Sequence, residues 1–339
     1  MENNLIVSTS PHIRDPINTR KIMCKVIVAL APITVYALVI HGLSAFWVLL
    51  ASISGALLGE FAMQRGRHMP VTLDDCSALL TGLLLALTLP PLLPWWIAGL
   101  AGLVATILGK QMFGGIGHNL FNPALIGRAV VFVSWPAYFA AGYARSSAIG
   151  IANTATHKSI EAAVDIVNGA SPLAAMKYVY EGAAKAPRDL FGSSYYRPLL
   201  FSNPWGCIGE VSALLLILGG VYLLITRVID WRIPVVYVGT VAVLTALSGR
   251  DPLFYTLAGG LLIGAIYMAT DYTTSPLARR GKIIYAVGLG LMTWLLRGWS
   301  NNPEGVMFAI LFMNAMVPLI DRYILPHRYG KVKKAEEAA

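Results

Sequence analysis

Long apolar runs alternate with short polar or Gly- and Pro-rich segments along most of this chain. Each run approaches the roughly 20 residues that a helix needs to cross a bilayer. We count ten runs, at about 24–41, 44–62, 76–90, 94–110, 122–141, 207–226, 233–248, 252–270, 282–298 and 304–323. Pro and Gly interrupt them, as at Leu89–Pro94 and Gly249–Pro252. The pattern predicts an all-α integral membrane protein with about ten transmembrane helices.

One long hydrophilic segment, residues 142–206, separates the first five runs from the last five. An odd number of spans makes the second half start from the opposite side of the membrane, so we predict two inverted five-helix repeats. Shifting the chain by 158 residues superposes Pro94 on Pro252 and Gly102 on Gly260. The predicted parts are an N-terminal segment, a first membrane half, the hydrophilic loop, a second membrane half and a basic tail, at 1–23, 24–141, 142–206, 207–324 and 325–339.

Charge supports a membrane protein over a nucleic-acid-binding one. Charged residues make up 13% of the chain, against about 25% in soluble domains. The net charge of +9 comes from Lys and Arg in short connections, which is the positive-inside pattern of a protein surrounded by lipid. We place both termini in the cytoplasm and the 142–206 loop outside. The reason is that Arg250 and Arg297 are the only Lys or Arg residues in the short outer connections. We expect no nucleic-acid partner and no cleavable signal peptide.

Cysteine and histidine give no metal-binding pattern. Cys24, Cys76 and Cys207 are far apart and form no CxxC pair, and the His residues form no HExxH motif. We predict no zinc or iron–sulfur site built by this chain alone. Among charges in or beside apolar runs, Glu60 lies near the inner end of its run, while Arg128 and Glu210 lie deeper.

The hydrophilic loop contains Asp165-Ile-Val-Asn168-Gly169-Ala170-Ser171-Pro172. Ser followed by Pro and an apolar stretch is a typical helix start, with the serine as N-cap. A helix N-terminus also favours a phosphate group, through its backbone N–H groups and dipole. The two interpretations are compatible, since both place the Ser171 hydroxyl at the helix end.

This stretch resembles the flavin-attachment motif of the Rnf and Nqr family of electron-transport complexes. Four further blocks resemble the D-type membrane component of Rnf complexes: Ser10–Arg14, Gly117–Ala124, Asn203–Glu210 and Asp271–Pro276. Two positions depart from the family's usual motif. Asn168 stands where Ser or Thr is common, and Ser171 stands where the acceptor is usually Thr.

The resemblance implies a membrane flavoprotein component of an Rnf-type ion-translocating ferredoxin:NAD oxidoreductase in a bacterial inner membrane. FMN would be joined by a phosphoester to Ser171, with Asp165, Asn168, Gly169 and Ala170 as the motif that a flavin transferase recognises. A non-covalent riboflavin is also implied. Partners would be the A, B, C, E and G components of the Rnf complex, above all the flavin-bearing G component. Electron flow would be coupled to Na⁺ or H⁺ transport. Ser171 would be an anchor, so the chain itself is expected to have no catalytic residue and no activity alone.

A Gly-rich segment, Gly114–Pro123, carries His118, Asn119 and Asn122. These side chains could bind a flavin ring or an ion, although the spacing matches no phosphate-loop fingerprint. The alternative is a structural turn that needs glycine at positive φ. A second function also fits the run pattern: a cofactor-free channel or secondary transporter with inverted repeats, which would have no use for the Asp165–Ser171 motif.

Overall fold

The computed structural model describes residues 18–143, 173, 193–202, 206–300 and 305–324. All regular elements in these ranges are helical, which confirms the predicted all-α class. Four of the described helices are long and apolar enough to cross a membrane by themselves. The count of ten spans and the predicted domain boundaries stay predictions.

The first half contains six α-helices: α1 Thr19–His41, α2 Leu43–Gly66, α3 Ser77–Leu87, α4 Trp95–Gly109, α5 Pro123–Ser134 and α6 Pro136–Ala141. Helix α5 begins with a strong start signal, because the Asn122 side chain accepts a hydrogen bond from the Ala124 N–H and Pro123 takes the first helical position. The predicted fifth run is divided into α5 and α6 at Trp135.

The described residues from 193 onward contain seven. Helix α7, Ser193–Phe201, lies at the end of the predicted hydrophilic loop, and the second half contributes α8 Ala213–Ile225, α9 Arg232–Leu247, α10 Pro252–Leu257, α11 Leu261–Ile263, α12 Arg279–Trp299 and α13 Val306–Tyr323. Helix α11 continues into a π-helical turn, Gly264–Met268. The predicted run 252–270 is therefore not one helix. Gly259 and Gly260 have φ of 72° and 67°, which stops the α-helical ladder between α10 and α11. We call this point the 259–260 break.

The two halves repeat one packing order. Helix α2 packs most extensively on α4 and also on α3, and α4 packs on α5. In the second half α9 packs most extensively on α12 and also on α10, and α12 packs on α13. Helices α1 and α8 pack on each other across the two halves. This order makes α10 the counterpart of α3, as the predicted repeat requires, while the inversion stays a prediction.

The 158-residue shift between the halves is wrong by one helix. It superposes Pro94, which precedes α4, on Pro252, which begins α10. The packing order instead makes α12 the counterpart of α4. Proline at a helix start is common to many helices, so this match reflects start chemistry and not the repeat.

Glycine allows a close crossing of α2 and α4 in the first half. A Cβ on Gly55 would lie 2.1 Å from the carbonyl oxygen of Gly99, and one on Gly102 would lie 2.2 Å from that of Ser52. Small residues at helix crossings are typical of membrane bundles, where backbones approach closely. The outward faces carry large apolar side chains, such as Leu247 and Leu277.

Candidate functional site

The predicted attachment residues Asp165, Asn168, Gly169, Ala170 and Ser171 lie outside the described residues. Leu173, two positions after Ser171, is described and is only 1% exposed. It belongs to an apolar cluster with four other buried residues: Leu199 on α7, and Phe254, Tyr255 and Ala258 in or beside α10. Leu173 therefore attaches this part of the hydrophilic loop to helices α7 and α10.

Leu173 packs directly on the 259–260 break. A Cβ on Gly259 would lie 1.8 Å from Cδ1 of Leu173 and 3.1 Å from Nη2 of Arg297. No other residue could take the place of this glycine without displacing the leucine side chain. The break, the leucine and the guanidinium thus form one contact region.

Arg297 satisfies the backbone at the break. Its Nη1 donates to the carbonyl of Tyr255, and its Nη2 donates to those of Ala258 and Gly259, both at 3.1 Å. Tyr255 lies in the last turn of α10, where carbonyls have no partner within the helix, and Ala258 and Gly259 follow the helix. The sequence placed Arg297 in a short outer connection. It is in fact 2% exposed, in the last turn of α12, because the broken helix needs its donors.

A second candidate site is a cleft with a cavity volume of about 100 Å³, at the opposite end of the π-helical turn from the break. We call it the asparagine cleft. Its apolar lining includes Ile22, Met23, Val26, Leu80, Leu84, Ile116, Leu223 and Ile266. Its polar lining includes Ser77, Thr81, Lys110, Asn119, Asn122, Tyr267, Thr270, Asp271 and Thr273. Cofactor pockets commonly combine apolar walls with a few polar groups in this way.

The structure brings together two of the three residues predicted in the Gly-rich segment. Asn119 and Asn122 are buried and line the cleft, whereas His118 is exposed and is not among its lining residues. The Asn122 Nδ2 donates to the carbonyl of Met268 at 3.3 Å, which joins the start of α5 to the π-helical turn. Gly114, Gly115 and Gly117 all have positive φ. The segment is thus a glycine turn, as the structural alternative proposed, and it also forms a cleft wall.

Asp271 provides an acidic group at one end of the cleft, in the connection that precedes α12. Its carboxylate accepts hydrogen bonds from the hydroxyls of Thr273 and Thr274, at 3.0 and 3.4 Å. Burial raises the pKa of Asp271 above its ordinary value, although hydrogen bonds from Thr273, Thr274 and Asn119 act in the opposite direction. The Asn119 contact connects the two loops that the sequence singled out.

Lys110 is the one basic residue among the described residues that line the cleft. Its ammonium lies 2.6 Å from Oε1 of Glu60 and 2.5 Å from the hydroxyl of Ser77. Glu60 is 0% exposed, so its carboxylate is buried inside the protein, near the inner end of its apolar run. Gln64 and Gln111 also donate to the Glu60 carboxylate. The carboxylate neutralises the lysine, so the cleft offers little net positive charge.

Two of the three cysteines lie close together in the fold. Cys24 and Cys76 are 52 residues apart in sequence, yet their sulfur atoms lie 3.9 Å apart. The sequence could not reveal this contact, because it forms only when α2 brings the chain back and the start of α3 lies beside α1. Cys207 is separate and fully buried, with its sulfur 3.2 Å from the hydroxyl of Tyr143.

Several residues of both sites carry no signal in the sequence that singles them out. Leu173 and Arg297 meet only because the helix stops at the 259–260 break, and no local sequence pattern predicts this contact. Ser77, Thr81 and Tyr267 line the cleft from within apolar runs. A hydroxyl on an otherwise apolar helix was the available signal, but such residues more often bond to their own helix.

Comparison with known proteins gives consistent matches. The family described as NQR2, RnfD, RnfE matches residues 6–330. The D component of the Na(+)-translocating ferredoxin:NAD(+) oxidoreductase complex of Acetobacterium woodii is 39% identical over 337 residues, covering 99% of each chain. The D component of the proton-translocating ferredoxin:NAD(+) oxidoreductase complex of Clostridium ljungdahlii is 40% identical over 337 residues, covering 97% of each. The D component of the ion-translocating oxidoreductase complex of Stutzerimonas stutzeri is 38% identical over 333 residues, covering 92% of each.

Proposed function

This chain belongs to the NQR2, RnfD, RnfE family, and from that premise we propose that it is the D-type membrane flavoprotein of an ion-translocating ferredoxin:NAD oxidoreductase complex. The names of its relatives in Acetobacterium woodii and Clostridium ljungdahlii support this role. Those two names differ in the ion, Na⁺ in one and H⁺ in the other, so the proposal covers either. The chain acts within the complex and not as an enzyme alone.

The proposed electron carrier is FMN in phosphoester linkage to Ser171. The Asp165–Ser171 stretch is the observation that carries this proposal, because neither a channel nor a plain transporter needs a flavin-attachment motif. FMN supplies one- and two-electron redox chemistry, while the protein fixes the position and surroundings of the ring. Serine offers the same hydroxyl nucleophile as the threonine usual at this position.

The contacts of Leu173 support a defined location for that flavin. Two residues of chain span at most about 7 Å, so a flavin on Ser171 would be attached within a short reach of the docked leucine. The guanidinium of Arg297 lies beside Leu173 at the 259–260 break. A buried cation stabilises a nearby phosphate ester anion. The break would thus hold the attachment segment by an apolar contact and a positive charge.

The asparagine cleft is the proposed site of a second, non-covalent flavin. A riboflavin ring has an apolar dimethylbenzene end and a polar pyrimidine edge, which match the apolar walls and the Asn119 and Asn122 end of the cleft. Riboflavin fits better than FMN for an electrostatic reason. Lys110 is already paired with Glu60, and the acidic Asp271 lies in the lining, so a phosphate would gain little there.

The proposed partners are lipid, the A, B, C, E and G components of the Rnf complex, and a flavin transferase. Exposed apolar side chains on α9 and elsewhere suit contact with lipid or with neighbouring membrane proteins of the complex. We place the protein in the bacterial inner membrane, with both termini in the cytoplasm and residues 142–206 outside. A green fluorescent protein fused to the C-terminus should fluoresce, because it folds properly only on the cytoplasmic side. A dark fusion of normal abundance would contradict this orientation.

Acid precipitation of the purified complex separates the two flavins. FMN bound to the polypeptide should remain in the pellet, and the intact mass of this chain should exceed its sequence mass by one FMN adduct. Riboflavin should appear in the supernatant. A chain without any flavin, after expression with an active flavin transferase, would support the channel or transporter alternative instead.

Replacing Asn119 with leucine should weaken non-covalent flavin binding about tenfold, because a buried polar partner of the ring is lost. The supernatant flavin after acid precipitation measures this effect, and the pellet FMN should not change. His118→Leu is the matched control, since it makes the same type of change at the adjacent, exposed position. Equal losses in both variants would exclude the asparagine cleft as the binding site.

Replacing Leu173 with alanine should loosen the attached flavin. A leucine-to-alanine change in a buried cluster costs about 2–5 kcal/mol, which is enough to release a short docked segment. The fluorescence anisotropy of the covalent flavin should fall, since the ring would rotate more freely. Leu199→Ala is the control, because Leu199 lies in the same cluster but on α7. A drop of the same size in Leu199→Ala would show a general loss of the cluster and not a docking role.

A further inference from the structure

A pair of thiols connects α1 with the start of α3. Cys24 lies in the second turn of α1, and Cys76 lies immediately before the first residue of α3. Their sulfur atoms are 3.9 Å apart. Cys76 has φ 61° and ψ 10°, a left-handed conformation that residues with a side chain seldom adopt. This backbone conformation orients the Cys76 side chain toward α1.

The surroundings of the two thiols favour thiol chemistry over metal binding. Within the described part of the chain, no third His, Cys, Asp or Glu joins them to form a metal-binding group. Both side chains are partly exposed, so a small reagent can reach them, whereas Cys207 is 0% exposed. A pair of adjacent, accessible thiols is the arrangement that a reversible disulfide requires.

We propose that Cys24 and Cys76 form a reversible disulfide that ties α1 to the start of α3 at the edge of the asparagine cleft. The oxidant is a low-molecular-weight disulfide, R–S–S–R. One cysteine thiolate attacks it, forms a mixed disulfide and releases one R–S⁻, which takes a proton. The second cysteine thiolate then displaces the other R–S⁻, which also takes a proton. Two protein thiols are oxidised to one disulfide, and R–S–S–R is reduced to two R–SH.

Closing the bond requires a small movement. A disulfide has an S–S distance of about 2.0 Å, so the two sulfur atoms must approach by about 2 Å from their present separation. Rotation of the side chains supplies much of this movement. The remainder must come from α1 and the segment before α3, whose spacing the bond would then fix.

The position of the bond gives it a structural consequence. Met23 and Ser77 line the asparagine cleft, and they are the sequence neighbours of Cys24 and Cys76. The disulfide would therefore join two walls of the cleft at one end. The disulfide would form whatever the cleft binds, so its test is separate from that of the proposed flavin.

The reaction rate should depend on pH. Burial raises the pKa of the Cys76 thiol, as do its hydrogen bond with Cys24 and the nearby carboxylate of Asp75, while Arg20 acts in the opposite direction. Because the thiolate is the attacking species, exchange at Cys76 should be slow at neutral pH. It should accelerate as the pH rises beyond the range in which an ordinary thiol ionises.

The test uses membrane vesicles that contain the whole complex. Reduced vesicles are treated with oxidised glutathione, quenched with acid and alkylated, and this chain is analysed by intact mass and by peptide mapping. We expect two of the three thiols to be lost, a peptide that joins Cys24 to Cys76, and no retained glutathione. Cys24→Ser and Cys76→Ser should each abolish the crosslinked peptide, whereas Cys207→Ser should keep it.

Three results would overturn the proposal. The first is retention of both thiols in the wild-type chain even when the pH is raised well beyond the range in which an ordinary thiol ionises. The second is stable glutathione adducts on Cys24 and Cys76 without a crosslink. The third is a disulfide between two copies of the chain. All three are read on the wild-type protein, so none depends on how a variant folds.

Discussion

Replacing Ser171 with alanine is expected to remove the covalently held flavin completely. The phosphoester needs a hydroxyl, and alanine has none. In a denaturing gel the polypeptide should lose its flavin fluorescence under ultraviolet light, and its intact mass should fall to that of the unmodified variant sequence. The non-covalent flavin in the acid supernatant should remain.

Ser171→Thr is the matched control, because it keeps the hydroxyl and restores the acceptor usual in this family. It should retain the fluorescence and the mass adduct. A fluorescent Ser171→Ala polypeptide would place the attachment elsewhere in the chain. Asn168→Ser provides a further comparison, since it reverses the other departure from the motif. It should not lower flavin occupancy.

Replacing Lys110 with methionine is expected to destabilise the protein by about 3–5 kcal/mol, because the change leaves the Glu60 carboxylate buried without its cation. Both side chains of the pair are almost fully buried, at 3% and 0% exposed. The measurement is unfolding in mixed detergent micelles, followed by circular dichroism as the denaturing detergent is increased. The midpoint should shift to a clearly lower denaturant fraction.

Lys282→Met is the matched control, since it removes the same side chain from a more exposed pair. Lys282 lies 3.1 Å from Asp230, and the two side chains are 23% and 20% exposed. Partly exposed pairs contribute about 1 kcal/mol or less. The double variant Glu60→Gln with Lys110→Met should recover part of the loss, because it removes the unpaired charge. Similar costs for Lys110→Met and Lys282→Met would contradict the importance of the buried pair.

The helical class and most helix positions could be predicted from the sequence, because apolar runs and helix-start residues act locally. Asn122-Pro123 and Asp251-Pro252 both begin helices where the sequence places them. The run at 252–270 was harder, since its apolar character continues through Gly259 and Gly260. Glycine indicates that a break is possible, but only the packing of Leu173 and Arg297 explains why the helix stops there.

The candidate site divides in the same way. The sequence alone identified the Asp165–Ser171 motif and the Gly-rich segment with Asn119 and Asn122, because each is a contiguous pattern of residue types. It did not separate His118 from those two asparagines, since adjacent residues can point in different directions. That separation depends on which side chains face the cleft.

The sequence by itself determined that this is a helical membrane protein and which short segments carry distinctive chemistry. Composition and local spacing depend only on the order of residues along the chain. The tertiary structure alone decided which distant residues meet: Glu60 with Lys110, Cys24 with Cys76, and Leu173 with the 259–260 break. These contacts join positions separated by tens of residues. They arise from helix packing, which depends on the shape of the whole fold and not on any single segment.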